Sequence, residues 1–176
     1  MDFFKNKYRI ASARAPFWDY AQNGAYFITI CTKYRMPWFG RIENGEMELS
    51  ELGKVAFDCW MEIPRHFPFV VLDAFVIMPD HVHGIIQIEK SDPPPIVETQ
   101  NLASLQRGEP KNKFGPQSRN LASVIRGYKT GVTQKSRLIN PGFAWQARYY
   151  DHIIRDGRAH ETIARYIENN PRNWIG

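Results

Sequence analysis

"FVVLDAFVIMPDHVHGIIQI", residues 69–88, holds two apolar runs parted only by Pro79, Asp80 and their neighbours. Each run is short and rich in Val, Ile and Phe, the profile of a buried strand. With so little chain between them, the two predicted strands pair as neighbours. The second opens on His81 and His83. On a strand, residues i and i+2 share a face, roughly 6.6 Å apart, so both imidazoles point one way and Val82 points into the opposite layer. Two imidazoles so placed can converge on one cation, with strand rigidity behind them. The plainer reading is a pair of half-buried polar residues satisfied by hydrogen bonds, and for a single histidine it would win. The pair beside Asp80 favours a site. Two ligands do not complete one, however. Cys31 and Cys59 stand apart, outside any Cys-x-x-Cys pair, and read as small buried hydrophobes.

Outward from this hairpin, "GAYFITICTKY" (24–34) reads as a strand entered by the turn at Asn23-Gly24. Asn44-Gly45 within "GRIENGEMELS" marks a two-residue hairpin. Leu52, Val55, Ala56, Cys59 and Trp60 follow at helical spacing, with Ser50 as N-cap and Pro64 near the helix end. A second helix is predicted over 118–138 through Leu121, Ile125, Tyr128 and Val132, with Ser118 as its cap. "WQARYYDHIIR" (145–155) reads as extended, and "GRAHETIARYIENN" (157–170) as a helix ended by Pro171. The order is strand, hairpin, helix, strand, strand, helix, strand, helix. It predicts an α+β, ferredoxin-like two-layer sandwich, an antiparallel sheet with helices on one face.

The chain has 176 residues, 43% hydrophobic and 23% charged, enough for one domain over 1–176 with its own core. Residues 91–117 are proline-rich and polar, and are expected to form a mobile loop. The longest apolar segment, 67–78, is short and carries Asp73, so no membrane span is expected. The N-terminal residues lack a secretory pattern. Two cysteines are too few for a disulfide framework, which points to a reducing, cytoplasmic setting. Net charge is +5, yet residues 101–140 hold Arg107, Lys111, Lys113, Arg119, Arg126, Lys129, Lys135 and Arg137 against Glu109 alone. Such a local field suits a polyanion, and equally a solvated helix face.

The last helix carries the second half of a site. Tyr166 and Asn170 are four apart on one face, and Ile163 and Ile167 turn nearly that face towards the sheet. The Tyr166 hydroxyl can then reach towards a cation held by His81 and His83, and Asn170 can offer an amide oxygen as the third ligand. Taken singly, Tyr166 reads as a core-edge aromatic and Asn170 as a helix end. Their joint placement favours chemistry. Tyr128, Tyr149 and Tyr150 are rival nucleophiles. A histidine-triad hydrolase would need a third alternating histidine where Ile85 stands, and a two-motif His-x-Thr phosphoesterase would need a second copy.

"MPDHVHGIIQI" (78–88) resembles the HUH motif, histidine-hydrophobic-histidine, of single-tyrosine transposases. "WQARYYDHIIRD" followed by "RYIENNP" resembles the C-terminal signature of their REP-associated branch, and the likeness runs from about Tyr26 to Pro171. It implies cutting of single-stranded DNA by a tyrosine nucleophile with a divalent ion. The nucleophile falls on Tyr166, the metal ligands on His81 and His83, and a third ligand on Asn170, where relatives outside this branch often have glutamine. Hairpin or single-stranded DNA is the implied partner, handled by a monomer or homodimer.

Cutting a phosphodiester needs an attacking oxygen, and a phenol is far more acidic than an aliphatic alcohol. Nitrogen and amide-oxygen ligands with open positions suit Mg²⁺ or Mn²⁺, with Zn²⁺ possible in vitro. Arg119, Arg126, Lys129, Lys135 and Arg137 are positioned to follow phosphates, while Trp145, Tyr149 and Tyr150, or aromatics near Trp18, can stack on bases. Trp60 and Trp174 read as core. Two alternatives remain at this point: a non-catalytic nucleic-acid-binding module with structural histidines, and a hydrolytic metallonuclease without a covalent intermediate.

Overall fold

The computed structural model describes residues 22–90 and 119–175; the expected loop at 91–117, Ser118 and Trp18 lie outside the described residues. The 69–88 stretch forms β4 (Val70–Met78) and β5 (His81–Ile88), paired antiparallel with Met78 opposite His81. β1 (Gly24–Cys31) pairs antiparallel with the other side of β5 and with β6 (Tyr150–Ile154). The sheet order is β4-β5-β1-β6. Asn23 closes its far end: its side chain accepts from Lys90 N at 2.8 Å and donates to Lys90 O at 3.0 Å.

β2 (Gly40–Glu43) and β3 (Glu46–Leu49) form a separate hairpin. Asn44 and Gly45 sit at φ 52° and 78°, the pair of left-handed residues that a tight hairpin turn requires. Ser50 caps α1 (Glu51–Met61), its side chain accepting from Gly53 N at 3.1 Å. Pro64 lies within the first turn of a short helix, α2 (Ile63–His66), rather than closing α1. The cap of α3 (Leu121–Ile139) is Asn120 in a capping box with Ser123, which corrects the expected cap. α4 (Gly157–Asn169) starts at Asp156, whose carboxylate accepts from Ala159 N at 2.8 Å.

The main core lies on one face of the sheet. Tyr26, Ile28 and Ile30 of β1 and Val82, Ile86 and Ile88 of β5 meet Ala56 and Trp60 of α1 and Val124, Tyr128 and Val132 of α3. The α+β sandwich is as expected, with one correction. α1 and α3 share a face, but α4 packs on the other, where Ile167 meets Ile85 and Ile154. The reason is parity. β5 is apolar on both faces over Ile85 and Ile86, and a strand apolar on both sides must be covered on both. A bulge between Leu72 and Phe75 contributes. It brings Asp73 and Ala74 into contact with the α4 side, where Asp73 accepts from Gln87 at 2.9 Å and bonds His160 at 2.7 Å. Among the described residues, no helix is long and apolar enough to cross a membrane.

Candidate active site

β5 brings His81 and His83 onto the face that α4 covers. The rings lie 4.4 Å apart between centroids, inclined by 74°, and both residues are buried, 3% and 7% exposed. Each is held by one ring nitrogen. His81 Nδ1 bonds Asp80 Oδ1 at 2.6 Å. With the proton on Nδ1, this carboxylate fixes the ring and leaves Nε2 as the nitrogen that carries the lone pair. His83 Nδ1 bonds Thr29 Oγ1 at 2.8 Å, because Thr29 is the residue directly opposite it on β1. Its Nε2 faces the Tyr166 hydroxyl at 3.4 Å.

The support continues outward. Arg35 Nε pairs with Asp80 Oδ2 at 2.7 Å, and its Nη1 donates to Cys31 Sγ at 2.9 Å. Cys31 is therefore a half-buried acceptor beside the site rather than core, whereas Cys59 is buried. Tyr34 and Arg35 both adopt left-handed backbone, φ 57° and 56°. Two such non-glycine residues in succession hold strain that the surroundings must keep in place; here the turn folds Arg35 back over Asp80. Thr32 ties that turn to the β4–β5 connection, its N and Oγ1 both bonding Asp80 O at 2.9 and 3.0 Å.

Burial in this apolar surround pushes both imidazoles down. His83 falls to about 3, by desolvation first and the neighbouring His81 second. His81 is lowered by desolvation, partly countered by Asp80. Both rings are thus neutral at physiological pH, the form that donates a lone pair. The chemistry of this donor set fits a divalent cation: two neutral imidazoles on one face, one with its second nitrogen held by a carboxylate. Among the described residues no group of three or more His, Cys, Asp or Glu is built to hold a metal. Both Asp80 oxygens are already engaged, so among the described residues a third ligand to such a cation would be of another residue type.

Tyr166 is 51% exposed, with its ring 5.5 Å from His83 and 6.1 Å from Phe27. It sits at the edge of the α4 stripe, as its spacing from Ile163 and Ile167 implies. Asn170 is the half-buried C-cap of α4, its backbone N–H bonding Ile167 O at 3.2 Å. The three residues after it make a 3-10 turn that returns Trp174 to His81, with centroids 5.6 Å apart. Trp174 is therefore a site residue, not a core one. Among the rival tyrosines, Tyr128 is fully engaged elsewhere. Its hydroxyl donates to Ala56 O at 3.1 Å on the opposite face of the sheet, and burial raises it well above the ordinary phenol range. Tyr150 stands at the rim, its ring 6.5 Å from Phe27.

The basic residues do not act as one group. Arg126, Lys129, Arg137, Trp145 and Tyr149 line a common groove, joined by Arg148. Lys135 points to α1 and pairs with Glu62 at 3.1 Å. Arg119 lies over Phe69 at the other end of the sheet. Trp145 packs against Phe39, Tyr128 and Phe143 and donates to Lys129 O at 3.2 Å, a role nearer to core than to base stacking. Sequence reasoning missed Thr29, Arg35 and Trp174. Only Thr29 carried a signal, since pairing "GAYFITIC" against "HVHGIIQI" in the observed register sets it opposite His83.

Comparison with known proteins agrees with the fold. No protein-family model matches the chain. An uncharacterized protein of Haemophilus influenzae is 41% identical over 164 residues, 93% of this chain and 88% of its own. A second protein of that organism, named "Putative REP-associated tyrosine transposase", is 26% identical over 87% of this chain and 73% of its own. A solved REP-associated tyrosine transposase, bound to a REP hairpin, shares the fold with a TM-score of 0.59 at 19% identity, covering 92% of this chain and 76% of the other. The chain resembles the REP-associated tyrosine transposases in sequence and shares their fold.

Proposed function

We infer that the protein is a metal-dependent single-strand DNA endonuclease and strand transferase of the HUH type, acting on hairpin-bearing DNA through a 5′-phosphotyrosine intermediate. One observation carries the reading: the Tyr166 hydroxyl is 3.4 Å from a ring nitrogen of His83, which shares its face with His81. That relative of the same fold is bound to a hairpin supports the choice of substrate.

In the proposed step the Tyr166 oxygen attacks a backbone phosphorus. A new O–P ester forms to the 5′ side, the P–O3′ bond breaks, and the 3′ oxygen leaves as a hydroxyl with the proton lost by the phenol. The ester conserves the bond energy, so a later 3′ hydroxyl can attack it, rejoin strands and release the tyrosine. His81, His83 and Asn170 would hold Mg²⁺ or Mn²⁺, which when bound offsets charge on the non-bridging phosphate oxygens. Asp80 and Thr29 keep the two imidazoles oriented, and Arg35 keeps Asp80 in place. Phe27 packs edge-on against the Tyr166 ring and limits its swing.

The test is incubation with labelled hairpin DNA and Mn²⁺, followed by denaturing electrophoresis. A protein–DNA adduct is expected, absent in Tyr166→Phe and reduced on the order of a hundredfold or more in His81→Ala. Cleavage without an adduct would mean hydrolysis by a metal-bound water. Binding without cleavage in either protein would mean a non-catalytic module.

A further inference from the structure

Four cations crowd one groove on the face of the sheet away from the histidines. It is a cavity of about 670 Å³ between α3 and the 144–149 segment, lined by Arg126, Lys129, Arg137 and Arg148 and, among the described residues, by no carboxylate. Two of the four are partly used by the protein itself. Lys129 Nζ donates to the carbonyls of Gln146 and Arg148 at 2.8 and 3.1 Å, and Arg137 Nε to Phe143 O at 3.2 Å. Arg126 and Arg148 are exposed and enter none of the ion pairs among the described residues. Arg148 is held at φ 69°, a conformation that a non-glycine residue keeps only when its surroundings impose it.

The groove leads towards the catalytic face. Tyr149 lines it and packs on the α3 side. Tyr150, the next residue, opens β6 and occupies the cross-sheet row of Thr29 and His83. Its ring is 6.5 Å from Phe27, which is 6.1 Å from Tyr166. Since β6 is the last strand of the sheet, Tyr149 and Tyr150 straddle its edge, with cations on one side and the nucleophile on the other.

We propose that this groove holds the sugar–phosphate backbone of an unpaired nucleic-acid strand and that the strand turns over Tyr150 at the β6 edge to reach Tyr166. The proposal rests on the reading of Tyr166 as nucleophile. Charge selects the ligand class, because a cleft lined by four cations favours phosphates. Stiffness selects single strands: a duplex, with a persistence length of about 50 nm, cannot turn around one strand edge within a few residues. Aromatic rings at the turn suit unpaired bases, whose faces are free to stack.

The experiment measures binding by anisotropy in the Tyr166→Phe background, which excludes chemistry, using a labelled blunt hairpin and the same hairpin with a single-stranded tail. The tail is expected to tighten binding. Arg126→Ala and Arg148→Ala should each weaken tailed DNA and lower the slope of log affinity against log salt by about 0.7, while leaving blunt DNA unchanged. Tyr150→Ala should weaken tailed DNA about tenfold. Lys135→Ala, on a residue paired with Glu62, should change neither. Unaltered melting temperatures keep folding out of the comparison. Arginine variants that bind tailed DNA like their parent, or that lose blunt DNA equally, would overturn the groove. If the wild-type protein still forms the Tyr166 adduct, only the groove falls; if it binds neither DNA, the catalytic reading falls with it.

Discussion

His83 shows how burial prepares a side chain. Its ring is neutral because the apolar sandwich and the adjacent His81 push it down to about 3, against roughly 6.5 in an unfolded chain. The folded state therefore binds fewer protons than the unfolded state between these values. The resulting stability is fully present above pH ~6.5 and drains away as pH falls towards 3. In chelator, the free energy of urea unfolding should drop between pH 7 and 4.5, and drop less in His83→Gln. Parallel curves for the two proteins would exclude this source of acid sensitivity. Thr29 is the matching partner, its hydroxyl 2.8 Å from His83 Nδ1. Thr29→Val keeps the shape and removes the bond, so it should cost about 1–3 kcal/mol and weaken Mn²⁺ binding roughly 10- to 100-fold. Calorimetric titration checks the second figure, and an unchanged affinity would leave Thr29 with a packing role alone.

At the scale of elements, the face of each strand was readable and the partner of each face was not. Alternation in "HVHGIIQI" placed His81 with His83, and helical spacing placed Tyr166 above Ile163 and Ile167. That α4 would cross to the face opposite α1 and α3 depended on Ile85 and Ile154 needing a cover, a tertiary matter beyond local periodicity. Trp174 was equally hidden, since its position follows from the turn after Pro171. Gly84 explains how α1 approaches β5 so closely. A Cβ there would lie 2.3 Å from the Trp60 ring, and Trp60 is itself stacked on Phe75 at 5.6 Å. Gly84→Ala should destabilise by about 1–3 kcal/mol or more through overpacking; a melting temperature equal to the wild type would mean that Trp60 yields freely. Ile167→Ala removes the buried contact that seats α4, at about 2–5 kcal/mol. The adduct yield with hairpin DNA should fall with it even where the protein remains folded, because Tyr166 rides on the same helix. Full adduct formation in that variant would show that Asp73 and His160 hold α4 without it.

Across the whole molecule, the sheet separates the main core from the histidine face. The large aromatic core lies with α1 and α3, and the histidines lie on the other face with α4, whose own cluster is small. Residues on the less heavily packed face can be altered without dismantling the core. Binding of a cation to the native state alone stabilises it by RT ln(1 + [L]/Kd), about 2.7 kcal/mol at a hundredfold excess over Kd. At about 2–4 °C per kcal/mol for a chain of this size, saturating Mn²⁺ should raise the melting temperature by roughly 5–10 °C. His81→Ala should fold with its core intact and lose most of that rise, since one imidazole remains. Asn170→Ala should lose a smaller part if its amide is the third ligand. Equal metal-induced shifts in the wild type and His81→Ala would place the cation elsewhere and leave the two imidazoles as hydrogen-bonded residues of a buried strand.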